Sequence, residues 1–253
     1  YTAEALGELL EEEDRCEEAI PVLRKAIALD DDDWSRLRLA RCQLDVGEMD
    51  EGLAGLEALG ESSTDGRLVG RAAMAAYSHK RYGAALPLFE RFRELDPDGG
   101  EHELQEAVSR FRSGQREDGI SALRELVAER PEDDLAWDWL AFLLYEQGDL
   151  NASVDAHRRL LELEPTHLDG LSRLSKILIE LGRDAEAVET VGRLAEVQGP
   201  DSEAWISQAA ILARLGRTAE AADAARRNVE RYPRERDALE LLVATILSAQ
   251  CTD

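Results

Sequence analysis

Prolines at Pro97, Pro131, Pro165 and Pro233 are separated by multiples of 34 residues, and Gly199-Pro200 fills the missing step. Glycines keep the same beat at Gly114, Gly148, Gly182 and Gly216. So do the apolar anchors Trp137, Leu171, Trp205 and, more weakly, Leu239. A chain with this recurrence is built from one small unit used again and again. Within each unit, apolar residues return every three or four positions in two runs, which predicts two amphipathic helices. The glycine falls between the runs, where a left-handed residue ends a helix without a Cβ clash. The proline follows the second run and stops it, because it has no amide hydrogen to donate.

These units resemble the tetratricopeptide repeat family. "AWDWLAFLLYEQGDLNASVDAHRRLLELEP", Ala136 to Pro165, carries the family pattern at Trp137, Leu140, Ala141, Gly148 and Pro165. "AWISQAAILARLGRTAEAADAARRNVERYP", Ala204 to Pro233, carries it at Trp205, Ala209, Gly216, Ala221 and Pro233. The opening stretch keeps Leu6, Gly7, Ala19 and Ala26. The resemblance implies an all-α, right-handed superhelical solenoid of about seven helix-turn-helix repeats. They span residues 1–235 and begin near residues 1, 33, 66, 100, 134, 168 and 202, and a C-terminal helix follows over 236–253. Stacked neighbours bury the face that a lone hairpin cannot. Ala19, Ala85, Ala187 and Ala221 are expected at close helix crossings, where a larger side chain overpacks at a cost of about 1–3 kcal/mol. The second repeat is the weakest: Gly52 stands where alanine is usual, and "GESSTDG", Gly60 to Gly66, ends it without a proline. A soft joint in the array is expected there.

The resemblance also places the groove on the first helix of each repeat. Tyr77, Phe111 and Tyr145, each 34 residues from the next, fall on one groove position, and Phe142 lies three residues before Tyr145 on the same helix face. Arg41, Arg112 and Lys176 fall on groove positions as well, with Arg67, Arg214 and the acids Glu8, Glu12, Glu146 and Glu180. The expected function is a non-catalytic scaffold that docks a protein or peptide segment between aromatic anchors and charged edges. If Phe111 is an anchor, its loss weakens binding by about 2 kcal/mol; lowered stability with unchanged affinity would put the ring in the core. A chaperone carboxylate clamp is not expected, because the ninth positions carry no asparagine.

Charge narrows the partners. The chain has 54 acidic and 30 basic residues, a formal net charge of −24. Such a surface repels nucleic acid and anionic lipid and favours basic or neutral partners. No apolar run approaches a membrane span. The three cysteines, Cys16, Cys42 and Cys251, are too few and too widely spaced to indicate a disulfide framework or a zinc site. The histidines are scattered, and "DDDDW", Asp30 to Trp34, lacks the alternating ligands of a calcium loop and reads as a solvated turn. With no phosphate loop, nucleophile elbow or metal-protease motif, no catalytic residue, metal or cofactor is expected. A cytoplasmic location is the default.

The last fifteen residues, "LELLVATILSAQCTD", are worded differently. They resemble the early helix of the endonuclease III family, iron–sulfur glycosylases that excise oxidised pyrimidines, with Gln250 matching a glutamine that helps fill the gap left by a flipped base. The hairpin motif with its lysine, the catalytic aspartate and the four-cysteine cluster of that family are absent from the chain. Two accounts follow. Either the repeats are the accessory N-terminal part of a truncated glycosylase fusion, or the segment is an ordinary eighth-repeat helix near Arg236, whose apolar outer side would favour self-association.

Overall fold

The computed structural model describes residues 2–229, apart from 98, 100, 101, 200 and 201. The C-terminal helix, the glycosylase-like wording and Gln250 therefore lie outside the described residues. Fourteen α-helices and no strand occur among the described residues. Packing divides the chain into two compact units, Tyr1–Leu126 and Val127–Asp253.

The first unit contains α1 (Ala3–Glu12), α2 (Cys16–Leu29), α3 (Asp33–Val46), α4 (Met49–Ser62), α5 (Gly66–Ser78), α6 (Tyr82–Leu95) and α7 (Glu103–Arg112), with α8 (Arg116–Glu129) crossing the division. Helices pack as the hairpins α1/α2, α3/α4 and α5/α6, and each second helix packs on the next first helix. The first helices also touch one another, α1 on α3, α3 on α5 and α5 on α7, which makes a continuous face from them. The second unit stacks hairpins in the same order, each second helix packing on the next first helix, with α9 (Asp134–Gln147), α10 (Leu150–Leu163), α11 (Leu168–Glu180), α12 (Asp184–Gln198), α13 (Ala204–Arg214) and α14 (Thr218–Val229).

The turn inside each hairpin shows why the glycines recur. Gly47, Gly114, Gly148, Gly182 and Gly216 all have φ between 67° and 106°. Asp14 and Lys80, at φ 56° and 59°, occupy the same slot in the first and third hairpins without being glycine. Helix starts are held by side chains that accept a backbone amide: Asp32 from Ser35, Asp133 from Ala136 and Asp149 from Ala152. The acidic turn at Asp30 to Trp34 is thus a capped helix start.

Small residues set the helix crossings. Ala19, Ala85, Ala187 and Ala221 are completely buried. Gly52 is tighter still: a Cβ there would lie 2.9 Å from the carbonyl oxygen of Ala40 and 2.8 Å from the Leu44 side chain. The junction expected to be soft is a three-residue connection between α4 and α5. Ser63 within it is buried, its Oγ accepts from the Asp65 amide at 3.2 Å, and Asp65 caps α5. Hydrogen bonds from Ser63 and Asp65 order this connection without a proline. The tryptophan landmarks also brace consecutive repeats, since Trp137 Nε1 donates to the Pro131 carbonyl and Trp205 Nε1 to that of Gly199.

The cysteines depart from expectation. Cys16, opening α2, and Cys42, in α3, are joined by a disulfide with their Cα atoms 4.8 Å apart. Their separation of 26 residues conceals the pairing because they belong to adjacent hairpins, which the bridge staples together.

Candidate functional site

In the second unit, α9 carries a group of large apolar side chains on its outer face, with Asp138 and the exposed Glu146 among them. Leu135 is 53 % exposed and Tyr145 41 %, and Trp139 and Phe142 lie between them, each half-buried. Their three- and four-residue spacing keeps all four on one side of the helix. The Trp139 and Phe142 rings meet edge to face with centroids 6.0 Å apart, so they form one surface. From α11, Arg173 lays its guanidinium 4.8 Å from the centroid of Phe142 and pairs with Asp138 at 2.9 Å. Lys176, three residues on, is exposed and has no ion pair among the described residues. Phe142, Tyr145 and Lys176 of the expected groove set thus sit on α9 and α11 of one unit.

The remaining expected residues belong to the first unit. Tyr77 is half-buried, edge to face with Tyr82 at 5.5 Å and Phe89 at 6.3 Å. Burial raises the pKa of its phenol, as does Tyr82, against the opposing pull of Arg112. Phe111 corrects the expectation: it is 2 % exposed and packs in the core, with the guanidinium groups of Arg112 and Arg116 5.8 and 5.2 Å from its ring. Arg112 itself is exposed. Arg41 lies beside Glu11, Nη1 to Oε1 3.0 Å, in a pocket of about 280 Å³ that Trp34, Arg38 and Arg71 also line.

Trp139, Trp34 and Arg71 escaped the reading of the sequence. Trp139 and Arg71 stand on the sixth position of their repeats, as do Arg38 and Arg173, and that position is not among the groove positions the family pattern supplies. A column of Arg38, Arg71, Trp139 and Arg173 at repeat spacing was the available signal.

A pile of helical hairpins whose first helices expose aromatic and charged side chains defines a helical-repeat protein of the interaction class. Two tetratricopeptide repeat models match residues 104–167 and 144–215, so that stretch of the chain is made of tetratricopeptide repeats. No curated protein sequence matches it significantly. Among solved structures, it is similar to the C-terminal part of a TPR repeat-containing protein from Cytophaga hutchinsonii, with 15 % identity and a TM-score of 0.70 over 93 % of this chain and 98 % of that one. YrrB, described as a TPR protein with an unusual peptide-binding site, is 19 % identical with a TM-score of 0.52, over 72 % of this chain and 94 % of that one. A Naa15/Naa10 complex bound to HypK-THB is 16 % identical with a TM-score of 0.56, over 97 % of this chain but 38 % of that one. These likenesses establish the all-α superhelical repeat fold. No helix among the described residues is long and apolar enough to cross a membrane.

Proposed function

We propose that the protein is a non-catalytic scaffold that holds a segment of a partner protein against the first-helix face of its second unit. Trp139, Phe142 and Tyr145 are the anchors, and Lys176 supplies an unpaired positive charge at the edge. The observation that carries this reading is the grouping of four large apolar side chains on α9, two of them more than 40 % exposed. A helix that only packs would turn such residues inward, and contiguous apolar surface on a folded unit marks contact with another molecule. Aromatic residues at the centre of a patch carry most of the energy of such contacts. That YrrB has a peptide-binding site and Naa15/Naa10 is bound to HypK-THB accords with this use of the fold.

Selection of a random peptide library on the immobilised protein tests it. Enriched peptides should bind the intact chain and lose about tenfold or more in affinity on Trp139→Ala or Tyr145→Ala. Enrichment that survives both substitutions would remove α9 as the docking face.

The Cys16–Cys42 bridge bears on the compartment. Such bridges persist where the surroundings are oxidising, which weighs against the cytoplasmic default.

A further inference from the structure

The pocket in the first unit has a chemistry of its own. Glu8, Glu11 and Glu12 from α1 face Trp34, Arg38 and Arg41 from α3 and Arg71 from α5. Arg38 pairs with Glu8, and its Nε lies 3.5 Å from Glu11 Oε2. The Glu11 side chain is only 10 % exposed, and its Oε1 accepts no hydrogen bond. Arg41 Nη1 stands 3.0 Å from that oxygen, an ion-pair contact that does not amount to a hydrogen bond. The oxygen is closed to solvent while Arg41 and its neighbours stay in place. Burial raises the pKa of this carboxyl despite the opposing charges of Arg41 and Arg38, so its own neighbours do not fully compensate it.

Beside this unused acceptor lies an aromatic face that already holds a cation. The guanidinium of Arg71, an exposed side chain, rests 5.4 Å from the Trp34 ring centroid. Stacking there is weakly held in water, and Arg71 can turn out to solvent. Once it does, three carboxylates face two guanidinium groups, and the pocket has one negative charge to spare.

We propose that this pocket receives an arginine side chain from a basic partner segment. The incoming guanidinium takes the place of Arg71 on Trp34 and donates to Glu11 Oε1, while Glu12 balances its charge. Arginine fits better than lysine because its planar fork can stack and donate at once. An acidic side chain fits poorly, because Arg38 and Arg41 are already engaged by α1. The net charge of −24 draws basic segments toward the protein over long range. The inference rests on the first-helix face being a docking surface, but it concerns the other unit.

The test is a titration of the full chain with N-acetyl-arginine-N-methylamide, followed through the indole N–H resonances in a nitrogen–proton NMR spectrum. The Trp34 resonance should move saturably and that of Trp139 should not. The lysine analogue should bind more weakly and the glutamate analogue should not compete. Glu12→Gln, a change at an exposed residue, should weaken the arginine compound about threefold and Glu11→Gln about tenfold. A Trp34 resonance that stays still, or one that moves equally with the glutamate analogue, overturns the proposal. Library peptides that shift Trp139 would then still support docking on α9, so the two readings fail separately.

Discussion

Arg173 holds Phe142 from above: its guanidinium carbon is 4.8 Å from the ring centroid while Nη1 reaches Asp138 at 2.9 Å. One side chain of α11 therefore ties together an aromatic and an acid one turn apart on α9, and it orients the ring that the proposed docking face needs. Arg173→Met keeps the bulk and removes both interactions, together with a longer ion pair to Asp169 at 3.7 Å. Each contributes under about 1 kcal/mol at a partly exposed site, so the unfolding free energy should fall by about 1 kcal/mol. Urea denaturation measures it, and an unchanged midpoint would mean the guanidinium does not hold this position in solution.

Lys80 occupies a turn slot that glycine fills in most other hairpins, with φ at 59°. A side chain in this region pays a steric penalty that glycine avoids, while glycine adds chain entropy to the unfolded state. The first effect is the larger here: the Lys80 amide donates to the Tyr77 carbonyl at 2.8 Å, a backbone bond that glycine keeps, and its side chain makes no hydrogen bond among the described residues. Lys80→Gly should raise stability by about 0.5 kcal/mol. The same substitution at Lys25, an exposed residue inside α2, should lower it. Equal responses at the two positions would contradict this backbone account.

These two cases show what a sequence discloses and what it withholds. The glycine and proline beat was legible because each residue answers a local backbone demand, and the all-α repeat fold follows from it. Phe142, Tyr145 and Lys176 were placed on a helix face by repeat register alone. Register gives direction but not depth: Phe111 shares the position of Tyr145 and is buried, because Gly119 of α8 lets the chains approach until a Cβ would sit 2.9 Å from Phe111 Cβ. The Cys16–Cys42 pairing and the Trp34–Arg71 stack depend on which helices become neighbours. No local signal carries that. The division near Leu126 likewise coincides with no change of composition.

His157 lies completely buried in α10, its Nδ1 donating to the Ser153 carbonyl at 2.8 Å, and its Nε2 has no hydrogen-bond partner among the described residues. Burial pushes the imidazole below its ordinary pKa of 6.5, against the Ser153 bond that raises it. The unfolded chain then binds this proton more readily than the folded one. The neutral ring is tolerated fully above the unfolded pKa, and stability is lost as the pH falls from about 6.5 toward the lower folded value. Melting temperatures of the native chain and of His157→Gln, recorded from about pH 7.5 to about pH 5, should diverge in slope over the acidic half. Parallel slopes would exclude this histidine as the source of acid sensitivity.

The bridge between α2 and α3 closes a loop of 26 residues, and its removal should cost about 3 kcal/mol through the unfolded chain. Under denaturing conditions, alkylation should modify one of the three cysteines before reduction and all three after it. A thiol reductant should lower the melting temperature of the native chain and leave that of the Cys16→Ala, Cys42→Ala double variant unchanged. Modification of all three cysteines without reductant would show that the bridge does not form.

Phe111 separates packing from docking most sharply. Its ring is 2 % exposed, packed closely against Gly119 of α8, with the Arg112 and Arg116 guanidinium groups 5.8 and 5.2 Å from its centroid. A ring so deeply buried offers a partner almost no surface. Phe111→Ala should therefore leave peptide affinity unchanged and lower stability by about 3–5 kcal/mol, the usual consequence of emptying a buried aromatic site. Tyr145→Ala, at a residue 41 % exposed on the same repeat position, should do the reverse, weakening peptide binding with little effect on the melting temperature. The two variants measured side by side, by chemical denaturation and by binding of a selected peptide, make one crossed comparison. If Phe111→Ala instead weakens binding at constant stability, the ring is accessible in solution and contributes to docking.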